Sequence, residues 1–398
     1  MTKIFRHIAA LLCVALAVVM TACDSRYDMP QDPADDGRGT FLVFNIGMLG
    51  ATRAASTSIP DNESLHSLRI MILNDQGVVE NNEYFTFGSS CVTYSHITKL
   101  KSRFKKKVYL FANEESVTDI QCEPANVALS GSLHDFLESV TEGATGFEAK
   151  IAAVNFTPDF SKPIPLNAIY DVEIPAGVKY VEKSFWLVRT AAKFTFTFIN
   201  KRKYADITVN GIEVNGIADR QFFMPKFTND ETPVFPGFAT WIDWLKDVSD
   251  KTQVDPDNPS ADTSGWLTAY DIPTAANIGK LSYTAPFTIE PTPATSVYGK
   301  EIADLYCCES KNLRSDGMNA VPMEQQYTVH LECTGYYGND EEHRTYDITL
   351  PNLRALFRNT HPHVIISFTE EDYEVKAVVD VVPYRGCILD PYFGLARE

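Results

Sequence analysis

The stretch "AAKFTFTFIN", residues 191–200, alternates apolar and polar side chains, and a period of two sends neighbours to opposite faces of a sheet. Phe194, Phe196 and Phe198 point to a core, with Lys193, Thr195 and Thr197 toward solvent. The pattern recurs in "SLRIMILND", where Leu68, Ile70 and Ile72 share a face ahead of a "DQG" turn. It recurs again in "KKKVYLFAN", with Val108, Leu110 and Ala112 inward and Lys105 to Lys107 as a solvated strand end. In "ADITVNGIEVNGI" the Asn-Gly pairs starting at Asn210 and Asn215 predict tight turns. Short alternating runs bounded by Gly, Pro, Asn and Asp predict a mainly β chain.

Helical spacing is rare. "SGSLHDFLESVTEG" places Leu133, Phe136, Leu137 and Val140 on one helical face, with Ser130 or Ser132 as the cap, and "LPNLRALFRN" predicts a short second helix. At 398 residues the chain suits two domains of about 100–200 residues each. A boundary falls near 189–193, between "EKSFWLVRT" and the new alternating strand. The expected domains are 40–190 and 191–398, the second interrupted by a polar insertion at 247–265. Asp255, Asp257 and Asn258 in that insertion lack the Gly and distal Glu of a calcium loop and predict a solvated loop.

Residues 1–22 have the form of a secretory signal. Lys3, Arg6 and His7 precede an apolar run from Ile8 to Met20, and Thr21-Ala22 lead into Cys23. Small residues before a cysteine resemble the bacterial lipobox, which makes Cys23 the expected diacylation site, although Met20 stands where leucine is commoner. Residues 23–39 are polar and Asp-rich and predict an acidic tether, similar to a surface-export signal of lipoproteins. Beyond the signal and anchor, Cys91, Cys122, Cys307, Cys308, Cys333 and Cys387 could pair in an exported chain, in an order that sequence does not choose. Adjacent Cys307 and Cys308 are predicted on opposite faces of a strand and so not bonded to each other.

A formal net charge of −17 argues against nucleic acid as a partner, because that affinity rests on neutralising phosphates. No nucleotide loop, nucleophile elbow or HExxH pattern occurs, and no CxxC spacing suggests zinc. The expectation is a non-enzyme with no cofactor and no metal. His361 and His363 in "NTHPHV" read as ordinary histidines of a turn, and Glu341-Glu342 and Glu370-Glu371-Asp372 as surface charge. Trp241, Trp244 and Trp266 flank the insertion, so sugar stacking by a glycan-binding surface lipoprotein is a second reading. Aromatics filling a β-core are commoner.

Taken in order, the lipobox, the strand around Phe41 to Gly47 in "TFLVFNIGMLGATRAAS", the expected exposed Arg53, two β-rich halves and a distinctive C-terminus resemble the fimbrillin family of Bacteroidetes type V fimbriae. "KKVYLFANEE", "NGIEVNGIADRQFFMP", "LFRNTHPHVIISF" and "YEVKAVVDVVPYRGCILDPYFGL" carry the likeness in sequence order. The resemblance implies two β-sandwich-like (transthyretin-like) domains of antiparallel and mixed strands with a few short helices. It also implies a lipoprotein precursor in the outer membrane, an arginine-specific protease, and other fimbrial subunits as partners in a cell-surface fimbrium.

Carried onto this chain, the cut falls between Arg53 and Ala54 and removes residues 40–53. Phe41, Val43 and a run centred on Ile46 are displaced, with Leu42 and Phe44 facing the other way, so that the strand is apolar on both faces. A strand from a neighbour then fills the groove by β-strand addition. The candidate donor is "VKAVVDVVPY", with Val375, Ala377, Val379 and Val381 alternating. The insertion with its tryptophans, and the short tail after "DPYFGL", favour a tip or accessory subunit with a host or bacterial surface ligand over a stalk or anchor.

Overall fold

Alternation along the chain becomes strands in a computed structural model, which describes residues 39–49, 59–101, 104–125, 129, 131–175, 178–227, 242, 270–293, 298–310, 327–337, 340–350, 353, 356–369 and 375–383. The first half holds β1 (Thr40–Met48), β2 (Leu65–Leu73), β3 (Val79–Cys91), β4 (Thr93–Leu100), β5 (Lys106–Ala112), β6 (Ile120–Cys122), β7 (Val154–Phe156), β8 (Leu166–Val172) and β9 (Tyr180–Arg189). Seven of these form one sheet in the order β3-β2-β5-β8-β9-β1-β4. Its middle joint is thin, with β8 and β9 paired only at Leu166–Arg189 and Asn167–Val188. The sheet therefore folds into two layers. Leu42, Phe44, Ile46 and Met48 from one share a core with Leu68, Ile70, Val108 and Leu110 from the other.

Two short helices, α1 (Leu133–Glu138) and α2 (Phe147–Ala153), cover the outer face of β2 and β5. There Phe136, Phe147 and Ile151 pack with Met71, Tyr109 and Phe111, so β2 and β5 are apolar on both sides. Ser132 caps α1 as expected, its Oγ accepting from the Asp135 amide at 3.1 Å. One expectation is corrected on the opposite face, in phase with Val108 and Leu110: Lys106 is not solvated but fully buried, its Nζ 2.7 Å from the Glu80 carboxylate. A buried ammonium without a carboxylate would be strongly disfavoured.

The second half holds β10 (Ala191–Asn200), β11 (Ile207–Ala218), β12 (Gln221–Phe222), β13 (Lys226–Phe227), β14 (Tyr270–Asp271), β15 (Ile278–Tyr283), β16 (Phe287–Ile289), β17 (Lys300–Cys308), β18 (Thr328–Tyr337), β19 (Asp340–Thr349), β20 (Thr360–Phe368) and β21 (Val375–Pro383). One sheet runs β17-β10-β20-β21; the other runs β15-β11-β18-β19, with β16 also on β11. Phe194, Phe196 and Phe198 pack between them against Ile212, Val214 and Leu331. The fold is thus mainly β, two sandwiches with few helices. Among the described residues no helix is long and apolar enough to cross a membrane.

Several local expectations change here. Neither Asn-Gly pair turns the chain: β11 passes through both, and the register with β18 shifts at Val209/Gly211 and with β15 at Asn215/Ile217. Each pair forms a β-bulge, where the freedom of glycine absorbs an extra residue, and Gly216 takes a φ of +95°. The "DQG" turn forms as read, with Asn74 Oδ1 accepting from the Gln76 and Val78 amides and Gly77 at φ +73°. The supposed second helix is absent from its described residues: Leu356 bridges to Ser310, and Arg358-Asn359 turn. His361 and His363 lie on β20 rather than in a turn, hydrogen-bonded to Thr195 and Thr197 on β10 at 2.8 and 2.9 Å. Lys193, Thr195 and Thr197 are buried, not solvated.

Cys307 and Cys308 do face opposite ways, one into each sandwich core. The five described cysteines are free thiols, and Cys387 lies outside the described residues. Burial raises the Cys307 and Cys308 thiols and holds Cys333 at about 12, so all three stay protonated and unreactive.

The halves are tied by buried charge. Glu63, just beyond the proposed cut region, accepts from Lys193 Nζ at 2.7 Å and from Tyr306 Oη at 2.9 Å, with Arg189 Nε 3.4 Å away. Arg358 donates to Glu309 and to the carbonyls of Phe222 and Phe223. β12 also pairs with β7 across the boundary.

Candidate assembly site

β1 begins as an amphipathic strand and ends as the middle of its layer. It pairs antiparallel with β4 from Thr40–Leu100 to Gly47–Thr93 and parallel with β9 from Phe41–Tyr180 to Met48–Leu187. Among the described strands β4 pairs with β1 alone. Removing β1 therefore deletes two ladders and leaves β4 without its strand partner.

The side chains divide by parity. Leu42, Phe44, Ile46 and Met48 are at most 2% exposed and line the core, Phe44 stacking on Phe185 with ring centroids 5.0 Å apart. Phe41 and Val43 are half-buried on the outer face, where Phe41 stacks on Tyr180 at 5.5 Å. Asn45 on that face donates to Glu182 and accepts from Ser95. The expected grouping is corrected on two points. Ile46 shares a face with Leu42 and Phe44, not with Phe41 and Val43, because two-residue alternation keeps even positions together. The strand also buries one face fully rather than both.

Burying four such side chains stabilises by roughly 1.5–3 kcal/mol each. The sum is comparable with the roughly 5–15 kcal/mol that separates a folded domain from its unfolded chain. A groove emptied of β1 therefore needs another occupant. Opposite Phe44, His96 on β4 lies 2.6 Å from Glu83 on β3, and this hydrogen bond is the main reason the Glu83 carboxyl titrates below its usual range. At the far end Arg189 Nη1 donates to the Leu49 carbonyl at 3.1 Å, fastening the exit of β1 to a residue that also faces Glu63.

Cys23, Arg53, Ala54 and the tryptophans Trp241, Trp244 and Trp266 lie outside the described residues. The candidate donor strand is β21, an edge strand paired antiparallel with β20 from Phe368–Val375 to Thr360–Pro383. Val375 and Ala377 are half-buried against the second core; Val379 and Val381 are placed by backbone pairing with Val364 and Pro362. β1 and β21 thus lie in different sandwiches. Glu114, Glu115 and His134 come within metal-ligand reach of one another, but Glu114 already accepts from Arg69 Nε and Nη2 and from His134. That group is an ion-pair network holding α1 to β2.

Sequence reasoning missed Trp186 and Arg189, which flank the groove. Their signal was the parallel partner of β1: "SFWLVR" is the strand that "FNIGML" lies beside, a long-range pairing that local periodicity cannot reveal.

No protein-family model matches the chain, and no curated protein matches it. Solved structures do. The tip fimbrial protein Mfa3 from Porphyromonas gingivalis, with C-terminal truncation, is 13% identical, covering 86% of this chain and 99% of its own, with a TM-score of 0.48. A fimbrial assembly protein from Parabacteroides distasonis is 10% identical over 86% of this chain and 95% of its own, at 0.41. A fimbrilin from Porphyromonas gingivalis W83 is 10% identical over 87% and 98%, at 0.43. The chain is similar to fimbrial proteins of Bacteroidetes both in the sequence features that suggested that family and among these solved structures.

Proposed function

We propose that the protein is a structural, non-enzymatic subunit of a cell-surface fimbrium, at the tip or in an accessory position, with a role in adhesion. It is exported as a lipoprotein anchored through Cys23. An arginine-specific protease cuts between Arg53 and Ala54, β1 leaves, and a strand from the C-terminal region of a neighbouring subunit takes its place. β21 is the first candidate for that strand. One observation carries the reading: the first described strand is the central strand of its layer and, among the described strands, the sole partner of β4, and Arg53 follows it closely in sequence. A segment that can be cut loose is thereby also the segment whose loss opens a long apolar groove. An adhesive role draws support from the composition of the polar insertion and its flanking tryptophans, a residue type on which a sugar ring can stack.

The test is limited trypsin digestion of the purified protein followed by N-terminal sequencing and light scattering. An early cut after Arg53 followed by growth of polymers is expected. A trimmed protein that stays monomeric with residues 40–53 still bound sinks strand exchange and favours the glycan-binding lipoprotein. Arg53→Ala should abolish surface polymers; polymers at the normal level would overturn the cleavage step.

A further inference from the structure

Lys193 faces two carboxylates where one would neutralise it. Its Nζ donates to Glu63 Oε1 at 2.7 Å and to Asp304 Oδ1 at 3.3 Å. Glu63 comes from the first half of the chain, whereas Lys193 on β10 and Asp304 on β17 both belong to the second. The second carboxylate is held there by an irregularity. Phe194 pairs with Leu305 and Phe196 with Ile302, so Ala303 and Asp304 share the place opposite Thr195 in a β-bulge. Bulges re-aim side chains, and in this one Asp304 takes a left-handed φ of +60°, uncommon for any residue but glycine. The carboxylate of that strained residue ends on Lys193.

The surroundings suit a reaction between the two. Lys193 and Glu63 are both buried, and holding an ion pair out of water is costly. Joining Lys193 to Asp304 removes one charge of each sign and leaves Glu63 with Arg189 Nε 3.4 Å away, so the cluster stays balanced. Glu63 is also steadied: Oε1 accepts from Tyr306 Oη at 2.9 Å, while Oε2 accepts no hydrogen bond among the described residues. Burial first, and then the charges of Glu63 and Asp304, push the Tyr306 hydroxyl well above its ordinary range, so it stays a donor. The Asp304 side chain is 45% exposed, which gives a leaving water a way out.

We propose that Lys193 and Asp304 condense to an intramolecular amide cross-link, with Glu63 as the catalytic residue that carries the protons. Lys193 Nζ passes one proton to Glu63 Oε1, and the neutral amine attacks Asp304 Cγ. The C–N bond forms as Glu63 delivers that proton to a carboxyl oxygen of Asp304. A second proton leaves the nitrogen by the same carboxylate, the Cγ–O bond breaks, and one water departs. Glu63 ends as it began, and nothing is oxidised or reduced. The new N–H then donates to Glu63 Oε1 in place of the ammonium. The bond ties the edge strand β17 to β10 and closes a loop spanning 111 positions, which restricts the unfolded chain as a disulfide does. The five described cysteines supply no such tie. Because Glu63 belongs to the first half, the bond waits until the two halves have docked. It does not depend on displacement of β1.

The test is tryptic peptide mapping by tandem mass spectrometry on the full-length protein after incubation at neutral pH. A branched peptide joining the Lys193 and Asp304 segments, lighter than their sum by one water, is expected, and trypsin no longer cuts after Lys193. Asp304→Ala lies on an exposed bulge that spares folding; it should restore the cut and lower the thermal midpoint. Asp304→Asn should still link, losing ammonia in place of water. Glu63→Gln should slow linkage at least about a hundredfold. Complete cutting after Lys193 with no branched peptide overturns the cross-link. A branch from Lys193 to Glu63 overturns the choice of acceptor. Linkage at the normal rate in Glu63→Gln protein shown to be folded by circular dichroism overturns the role of Glu63.

Discussion

The first and last described strands, β1 and β21, are both rich in apolar residues and would be hard to rank from sequence. Their positions make them opposites. β1 has a neighbour on each side and four side chains sealed in a core, whereas β21 has one neighbour and runs along an open edge. Loss of an edge strand shortens a sheet, while loss of a middle strand splits one and strips β4 of its pairing. Two similar apolar runs are thus a keystone of one layer and an edge of another.

The largest expected effect is a direct contrast of the two. Phe44→Ala should destabilise by about 3–5 kcal/mol in urea unfolding, because it opens a cavity in a packed core. Val375→Ala should lose less than about 1 kcal/mol at a half-exposed edge. Equal losses would break the comparison. Glu63→Ala comes next. It leaves Lys193 buried and deprived of its 2.7 Å contact, for an expected loss of about 3–5 kcal/mol. Because Glu63 ties the halves together, the variant should also separate one unfolding transition into two, as read by calorimetry.

Acid should act on the second sandwich. Burial, with Lys193 and His363 adding to it, holds His361 neutral and pushes its pKa down to about 3. The unfolded chain binds this proton below about 6.5, so stability should fall as pH drops through that value, by about 1.4 kcal/mol per unit until the folded site itself titrates near 3. His361→Asn should flatten the slope in denaturant titrations at pH 7 and pH 5. The smallest effect expected is at the helix cap: Ser132→Ala frees the Asp135 amide and should lower stability by about 1 kcal/mol, confined to the first sandwich.

Much of the fold was legible because its signals are local. The strand at "AAKFTFTFIN", though not its solvated face, the "DQG" turn and the Ser132 cap each depend on residues close together in sequence, and each formed. What misled were residues whose meaning depends on distant partners. Lys106 reads as solvated until Glu80 on β3 is brought beside it. Asn210-Gly211 and Asn215-Gly216 read as turns until β15 and β18 pair along β11 and convert them into bulges. His361 and His363 read as a turn until β20 lies beside β10 and gives them Thr195 and Thr197.

The candidate site divides in the same way. Sequence by itself determined that an apolar strand around Phe41 to Gly47 stands ahead of an arginine, because strand propensity is a property of the local chain. Only the tertiary structure decided that this strand is the middle of a layer, that Leu42, Phe44, Ile46 and Met48 share its buried face, and that Gly47 lies under Trp186. Those facts come from pairing across more than a hundred residues with β9. No local pattern encodes such a pairing, since it is settled by which faces can be buried together.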